Sequence, residues 1–317
     1  MAQTGPNYAY FEGKIVPIAE AKLSVMTHAL HYGTGAFGGV RAYWNDEEEE
    51  LFIFRPLDHF KRILNSGKIL LMDLPYTPES MLQILLDLLR KENYRGENVY
   101  IRPLIYKSTP VIGVRLHDLD DDFTMFAQPF GSYIPNEEGA KVTVSAWRRI
   151  DDNVIPARGK ITGAYANSAL IKTDASLKGY DEALVLDHNG HISEGSAENF
   201  FMVRDGVVIT PPISGNILEG ITRRSVIQLI QEQMNLDVQV REIDRTEVFV
   251  ADEAFFCGTG VQVIAIAEVD HRKVGDGTMG PVVRQVRELY HAVVRGKLPQ
   301  YRDWNVPVYR AETEAIS

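Results

Sequence analysis

Three β-rich runs follow one another near the middle of the chain: NVYIRPLIYK (98–107), DFTMFAQPF (122–130) and KVTVSAWRR (141–149). A doubly wound parallel sheet needs a helical crossover between successive strands, and no regular alternation of strand and helix surrounds these runs. The pattern therefore predicts an α+β fold in which hairpins dominate. The opening YAYFEGKIVPI reads as two short strands joined at Glu12-Gly13. Helical spacing of apolar residues predicts one helix around Asp58–Leu70, with Phe60, Ile63 and Leu64 on one face. A second begins after Thr77, with Pro78 and Glu79 suited to its first turn and Leu82, Leu85, Leu86 and Leu89 on its buried side.

The chain has 317 residues, which suits two domains rather than one core. The Gly- and Pro-containing GSYIPNEEGA marks a linker, placing a smaller domain at 1–130, the linker at 131–139 and a larger domain at 140–317. In the second part, an irregular stretch, DDNVIPARGKITG, leads into a helix from Ala164 to about Lys178. The strands EALVLD and FFMVRD follow, separated by the turn His188-Asn189-Gly190. Gly220-Ile221-Thr222 opens a helix that buries Val226, Leu229, Ile230 and Met234. EAFFCG and VQVIAIAEV read as strands, and Gly280–Val294 as a closing helix. The acidic run Asp46–Glu50 reads as a solvated hairpin tip.

A net charge of −10 argues against nucleic acid or an anionic membrane as the main partner, since both require a basic face. Apolar residues at 45% and charged residues at 24% are ordinary for a soluble globular protein. Cys257 is the single cysteine, so no intrachain disulfide forms and a reducing cytoplasm is the expected setting. The first residues lack the pattern of a signal peptide, and no apolar run reaches the roughly 18–20 residues that span a bilayer.

No GxGxxG fingerprint follows a strand, and a GxxxxGK[ST] loop, a GxSxG elbow and zinc-type His/Cys spacing are absent. His28 and His31 lie close together in THALHYG, but without a third ligand they read as structural hydrogen-bonding histidines and no metal is expected. Two polar residues stand out. Lys160 lies in ARGKITGAY between Gly159 and Gly163, where partial burial would supply a neutral amine nucleophile. Glu194 lies in HISEGSAENFF at a strand end. Each alone has the ordinary alternative of a solvated surface residue.

Taken with MTHALHYGTGAFGGVRAY, HFKRI, YIRPLIY, the IGV of PVIGVRL, GKITGAYANS, LEGITR and CGTGVQV, these segments resemble the branched-chain amino-acid aminotransferase family, within the fold-type-IV class of pyridoxal-phosphate enzymes. The matching pieces run in the family's order over nearly the whole chain. The resemblance implies a two-domain D-amino-acid aminotransferase-like fold, with a small N-terminal α/β domain and a larger C-terminal domain built on a β-barrel-like core. It implies pyridoxal 5′-phosphate as cofactor, held by Lys160 as a Schiff base, the same lysine then carrying the proton at the substrate Cα. Glu194 aligns with the carboxylate that faces the pyridine nitrogen, Glu198 with a second carboxylate supporting it, and Tyr165 with the donor to the phenolic oxygen. Arg62, Leu218, Ile221, Thr222 and Thr259 align with residues around the cofactor, most of them on its phosphate side.

For substrate, Tyr100 and the backbone of Thr259-Gly260 align with the α-carboxylate site, and Arg102 with the arginine that receives the γ-carboxylate of glutamate and 2-oxoglutarate. Phe37, Tyr32 and Val114 align with walls of the apolar pocket, Tyr32 and Val114 coming from a second subunit of a homodimer. The implied activity is reversible transamination between L-leucine, L-isoleucine or L-valine and 2-oxoglutarate. Gly38, Phe130 and Gly260 depart from the common family pattern (acidic, Trp and Ala) and bear on pocket width. The competing readings are a D-amino-acid or (R)-amine transaminase, an aminodeoxychorismate-lyase-like enzyme on the same scaffold, and a catalytically dead binding protein. Tyr100, Arg102 and Tyr32 weigh against the first two, and the pairing of Lys160 with Glu194 against the third.

Overall fold

The computed structural model describes residues 5–131 and 139–310. They form two compact units, one from residues 5–131, 159–163 and 292–310, the other from 139–158 and 164–291. Residues 132–138 of the expected linker lie outside the described residues.

The first unit is built on an eight-stranded sheet. Its strands are β1 (Tyr8–Phe11), β2 (Lys14–Pro17), β3 (Gly35–Phe37), β4 (Val40–Asn45), β5 (Glu50–Phe54), β6 (Val99–Lys107), β7 (Asp121–Pro129) and a C-terminal strand, Asn305–Pro307. The order is C-terminal strand–β5–β4–β6–β7–β1–β2, with β3 pairing β6, and every pairing is antiparallel. Along β6 the residues alternate, Val99, Ile101, Pro103 and Ile105 inward and Tyr100, Arg102 and Leu104 half-exposed, so Tyr100 and Arg102 share the opposite face. The unit also holds α1 (His28–Tyr32), α2 (Pro56–Ile69) and α3 (Pro78–Glu92). Thr77 caps α3 through a reciprocal bond with Ser80, and Pro78 sits where its missing N–H costs nothing.

The acidic run at the β4–β5 turn does more than face water. Glu48 pairs with Arg302 at 2.5 Å and with Arg310 at 2.7 Å, and Glu47 pairs with Lys297 at 2.7 Å. Buried Glu50 accepts the backbone N–H groups of Leu51, Val308, Tyr309 and Arg310 at 2.8–3.2 Å. This clamp, with the pairing of Asn305–Pro307 on β5, ties residues 292–310 to the first unit, although the sequence reading places them inside the larger domain at 140–317.

The hydrogen bond from Arg302 holds the Glu48 carboxyl below its ordinary pKa. A carboxylate with a depressed folded pKa stabilises the fold above the unfolded value, about 4.3 for glutamate, and ceases to do so as the pH falls through the depressed one. Glu48→Gln is therefore expected to lower the melting temperature by a few degrees at about pH 7 and by clearly less near pH 3. Thermal melts of both proteins at the two pH values check this, and a gap undiminished at about pH 3 would assign the clamp to shape rather than charge.

The second unit is a nine-stranded mixed sheet: β8 (Ala140–Arg148), β9 (Glu182–Leu186), β10 (Ile192–Glu194), β11 (Asn199–Arg204), β12 (Val207–Thr210), β13 (Val238–Val240), β14 (Glu253–Gly258), β15 (Gln262–Val269) and β16 (Arg272–Lys273). The order is β10–β9–β8–β15–β14–β11–β12–β13, with β16 on β15. Strand β15 pairs β14 antiparallel along its first half and β8 parallel along its second, across an irregularity between Ile266 and Glu268. Its core includes Phe200, Met202, Phe256, Ile264 and Ile266, each contributing roughly 1.5–3 kcal/mol by burial. Helix α4 (Tyr165–Leu177) packs on β8 and β9, α5 (Ile221–Met234) on β13 and β14, and α6 spans Pro281–Val294. Val226, Leu229 and Ile230 of α5 are buried as expected, while Met234 is only half-buried. The α+β expectation holds.

Candidate active site

In the first unit the Lys160 segment is pinned by its backbone. Phe37 N–H donates to the Lys160 carbonyl at 3.0 Å, and Lys160 N–H donates to Ser66 Oγ at 3.2 Å. Ser66 Oγ in turn donates to the Arg62 carbonyl at 3.0 Å, so one buried hydroxyl fixes the lysine's backbone against the turn of α2 that carries Arg62. The glycines around the lysine serve chain packing. Gly33, at φ 64°, lies so close to Gly163 that a Cβ on it would approach the Gly163 Cα to 2.6 Å, and Gly163 N–H donates to the Gly33 carbonyl.

Lys160 Nζ stands 5.0 Å from the centre of the Phe37 ring. The Arg102 guanidinium lies 4.6 Å from the same ring and 5.2 Å from that of Tyr100, to whose hydroxyl its Nη2 donates at 3.1 Å. Arg102 Nε is buried with no hydrogen-bond partner among the described residues. Phe130 packs on Tyr100 with ring centres 5.2 Å apart. Four predicted residues, Phe37, Tyr100, Arg102 and Lys160, are thus gathered in one place. At buried Gly38 a Cβ would lie 2.6 Å from the Pro103 ring, so an acidic side chain does not fit that backbone.

Tyr32 and Val114 are not part of this cluster. The Tyr32 hydroxyl accepts the Gly113 N–H at 3.1 Å, and Val114 is 88% exposed. His28 is fully buried, its Nε2 2.8 Å from the Gly113 carbonyl and its Nδ1 2.8 Å from Thr34 Oγ1. A carbonyl only accepts, so Nε2 carries the hydrogen and Nδ1 accepts from the threonine. His31 Nε2 bonds the Val25 carbonyl at 2.7 Å. Both histidines hold loops.

In the second unit Glu194 ends β10, 2% exposed, and its carboxylate is set by three donors. Arg149 Nη2 pairs with one oxygen at 2.7 Å, while Asn199 Nδ2 and the Leu218 N–H reach the other at 3.1 and 3.0 Å. Arg149 and Asn199 are the residues that sequence reasoning misses. Asn199 stands in the SAEN of the Glu194 motif; Arg149 follows Arg148, which only closes the Asp187 and His188 carbonyls, and nothing local tells the two arginines apart. Buried Glu198 accepts the Ala197 N–H at 3.0 Å. Burial, reinforced by the Glu182 carboxylate, pushes its pKa up to about 8, so it holds its proton at neutral pH.

Ile221 and Thr222 are the first residues of α5, both buried, behind Gly220, which supplies no side-chain cap. The free N–H groups of such a helix start favour an anion. Thr259 and Gly260 form the half-exposed turn between β14 and β15. Tyr165 opens α4. Burial raises the Cys257 thiol well above its ordinary range, so it is no nucleophile. The chemistry available is a partly buried amine, an anchored carboxylate, a helix start without a side-chain cap and an arginine with an unsatisfied N–H.

Residues 35–269 match the family model of amino-transferase class IV, which sets the class of protein. The chain is 45% identical over 303 residues to the "Probable branched-chain-amino-acid aminotransferase" of Aquifex aeolicus, covering 96% of this chain and 97% of that one. Among solved structures it is similar to the branched-chain aminotransferase of Thermoproteus uzoniensis with norvaline, at TM-score 0.92, 40% identity and coverage of 96% and 100%. It is also similar to the T.th. branched-chain amino acid aminotransferase complexed with N-(5′-phosphopyridoxyl)-L-glutamate, at TM-score 0.91 and 40% identity over 96% and 100% of the chains. The chain belongs to the branched-chain amino-acid aminotransferase family of the class IV aminotransferases.

Proposed function

We propose that the protein moves an amino group reversibly between L-leucine, L-isoleucine or L-valine and 2-oxoglutarate, in two half-reactions that share one site and use pyridoxal 5′-phosphate. The residues fit that cofactor: a capless helix start for its phosphate, a carboxylate already anchored for its ring nitrogen, and an amine fixed through its backbone. When bound, the cofactor supplies an electron sink for the bonds at the substrate Cα. Lys160 holds it covalently and moves the proton at Cα. Glu194, kept in place by Arg149, Asn199 and Leu218, holds a proton on the ring nitrogen. Tyr165 donates to the phenolic oxygen, and Glu198 backs the Glu194 motif. Arg62, the N–H groups of Ile221 and Thr222, and the Thr259 hydroxyl hold the phosphate. Tyr100 and the N–H groups at Thr259-Gly260 orient the α-carboxylate.

The observation that carries the substrate class is Arg102. A buried N–H without an acceptor costs about 1–3 kcal/mol, which a substrate γ-carboxylate recovers. With leucine bound, the guanidinium keeps its contacts with Phe37 and Tyr100, so one pocket serves both partners. Arg102→Ala is expected to raise the KM for 2-oxoglutarate and L-glutamate by tens-fold or more, the equivalent of about 2–5 kcal/mol, and to change the L-leucine half-reaction only a few-fold. Steady-state kinetics with the three substrates test this. Equal losses on both sides would make Arg102 a structural residue and reopen the case for an (R)-amine or D-amino-acid substrate.

The working unit we propose is a homodimer, with Tyr32 and Val114 of a second copy completing the pocket around Phe37. Val25, Met26, Leu30, Ile112 and Val114 support it: all five are at least half exposed, on two segments joined by the Thr27–Pro110 bridge. We read the two compact units as the two domains the resemblance implies, with residues 159–163 and 292–310 of the expected larger domain sorting with the first. Among the described residues no helix is long and apolar enough to cross a membrane, and with a single buried cysteine this supports a cytoplasmic setting.

A further inference from the structure

We propose that Asn199 is a positioning residue that locks the Glu194 carboxylate to the turn in front of α5, so that one side chain sets both the ring-nitrogen partner and the phosphate-binding helix start. The inference rests on the reading of Glu194 and Thr222 above. Asn199 is buried at the start of β11, and its amide nitrogen has two hydrogens to place. One goes to Glu194 Oε2 at 3.1 Å and the other to the Leu218 carbonyl at 3.0 Å. The Leu218 N–H returns to the same Glu194 oxygen at 3.0 Å, closing a ring of three residues. The amide oxygen faces away, packed so tightly on Gly220 that a Cβ at that position would overlap it. Gly220 is the residue immediately before the first turn of α5.

This geometry restricts both positions. Aspartate at 199 would aim an acceptor at two acceptors, and alanine would drop two donors at once. Any side chain at 220 would push the amide off Glu194. The SAEN and LEG segments are therefore complementary halves of one fitting, Asn199 being shaped for Gly220.

Asn199→Ala, Gly220→Ala and the double variant, each loaded with excess pyridoxal phosphate, test the idea. Each single variant is expected to retain cofactor about ten-fold less well after dialysis and to slow the L-leucine half-reaction about ten-fold or more, with KM changed less than about three-fold. The double variant is expected to do no worse than Asn199→Ala alone, because removing the amide makes room for the alanine methyl at 220. Melting curves of the cofactor-free proteins show the same non-additivity apart from any turnover. Additive losses, or single variants that retain and turn over cofactor like the wild type, overturn the proposal. A wild type that itself takes up no pyridoxal phosphate would instead sink the underlying reading of the site.

Discussion

Lys160→Ala is expected to lose transamination by about a thousand-fold or more while the chain still folds. The reason lies in two separable features of the residue. Its backbone is fixed by Phe37 N–H and Ser66 Oγ, contacts that alanine keeps, so the segment should stay where it is. The side chain beyond Cβ is removed, and with its amine go the proposed covalent hold on the cofactor and the proposed carrier of the Cα proton. The loss of side-chain stem against Phe37 is small beside that, since the amine sits 5.0 Å from the ring centre in a half-buried position. Single-turnover assays with L-leucine and a thermal melt on the same sample separate the two effects. Near-normal turnover would move the cofactor to another lysine.

Glu194→Gln is the second large effect. An opposite charge in hydrogen-bond reach commonly shifts a pKa by about 1–3 units, so losing the carboxylate should cut the fraction of protonated ring nitrogen by about ten- to a thousand-fold, and the half-reaction with it. The substitution also leaves the Arg149 guanidinium, which pairs with Glu194 at 2.7 Å, facing a neutral amide. Breaking a buried pair costs about 3–5 kcal/mol, so the melting temperature should fall as well. The two losses are told apart by expressing the stopped-flow rate per bound cofactor. An unchanged rate per cofactor, with only stability reduced, would leave Glu194 a structural carboxylate.

The parts of this fold legible in the sequence are those with strong local pattern. The strand at 99–107 alternates residue by residue as far as Ile105, α3 announces itself with Thr77-Pro78 and a leucine face, and both appear within a residue or two of their expected bounds. Strands β4 and β5 carry no such signal: five of six residues in one and all five in the other are buried, so alternation is absent and short apolar runs do not declare their type. The acidic run reads as purely solvated because its partner Arg302 lies 254 positions away, beyond any local rule. The same holds at the site. Lys160, Glu194 and Arg102 sit in recognisable motifs, but Arg149, which holds Glu194, comes from the end of another strand and looks like its neighbour. The glycines flanking Lys160 suggest close approach to a ligand, whereas Gly163 is required by the backbone of Gly33.

Pyridoxal phosphate is expected on Lys160, and borohydride trapping reads out which lysine carries it. The purified protein, incubated with pyridoxal phosphate, is reduced with borohydride, digested and mapped by mass spectrometry. The expected result is loss of the visible band and a phosphopyridoxyl mass on the single peptide containing Gly159-Lys160-Ile161. A modified lysine elsewhere, or a protein with no visible band after incubation with pyridoxal phosphate, would contradict it.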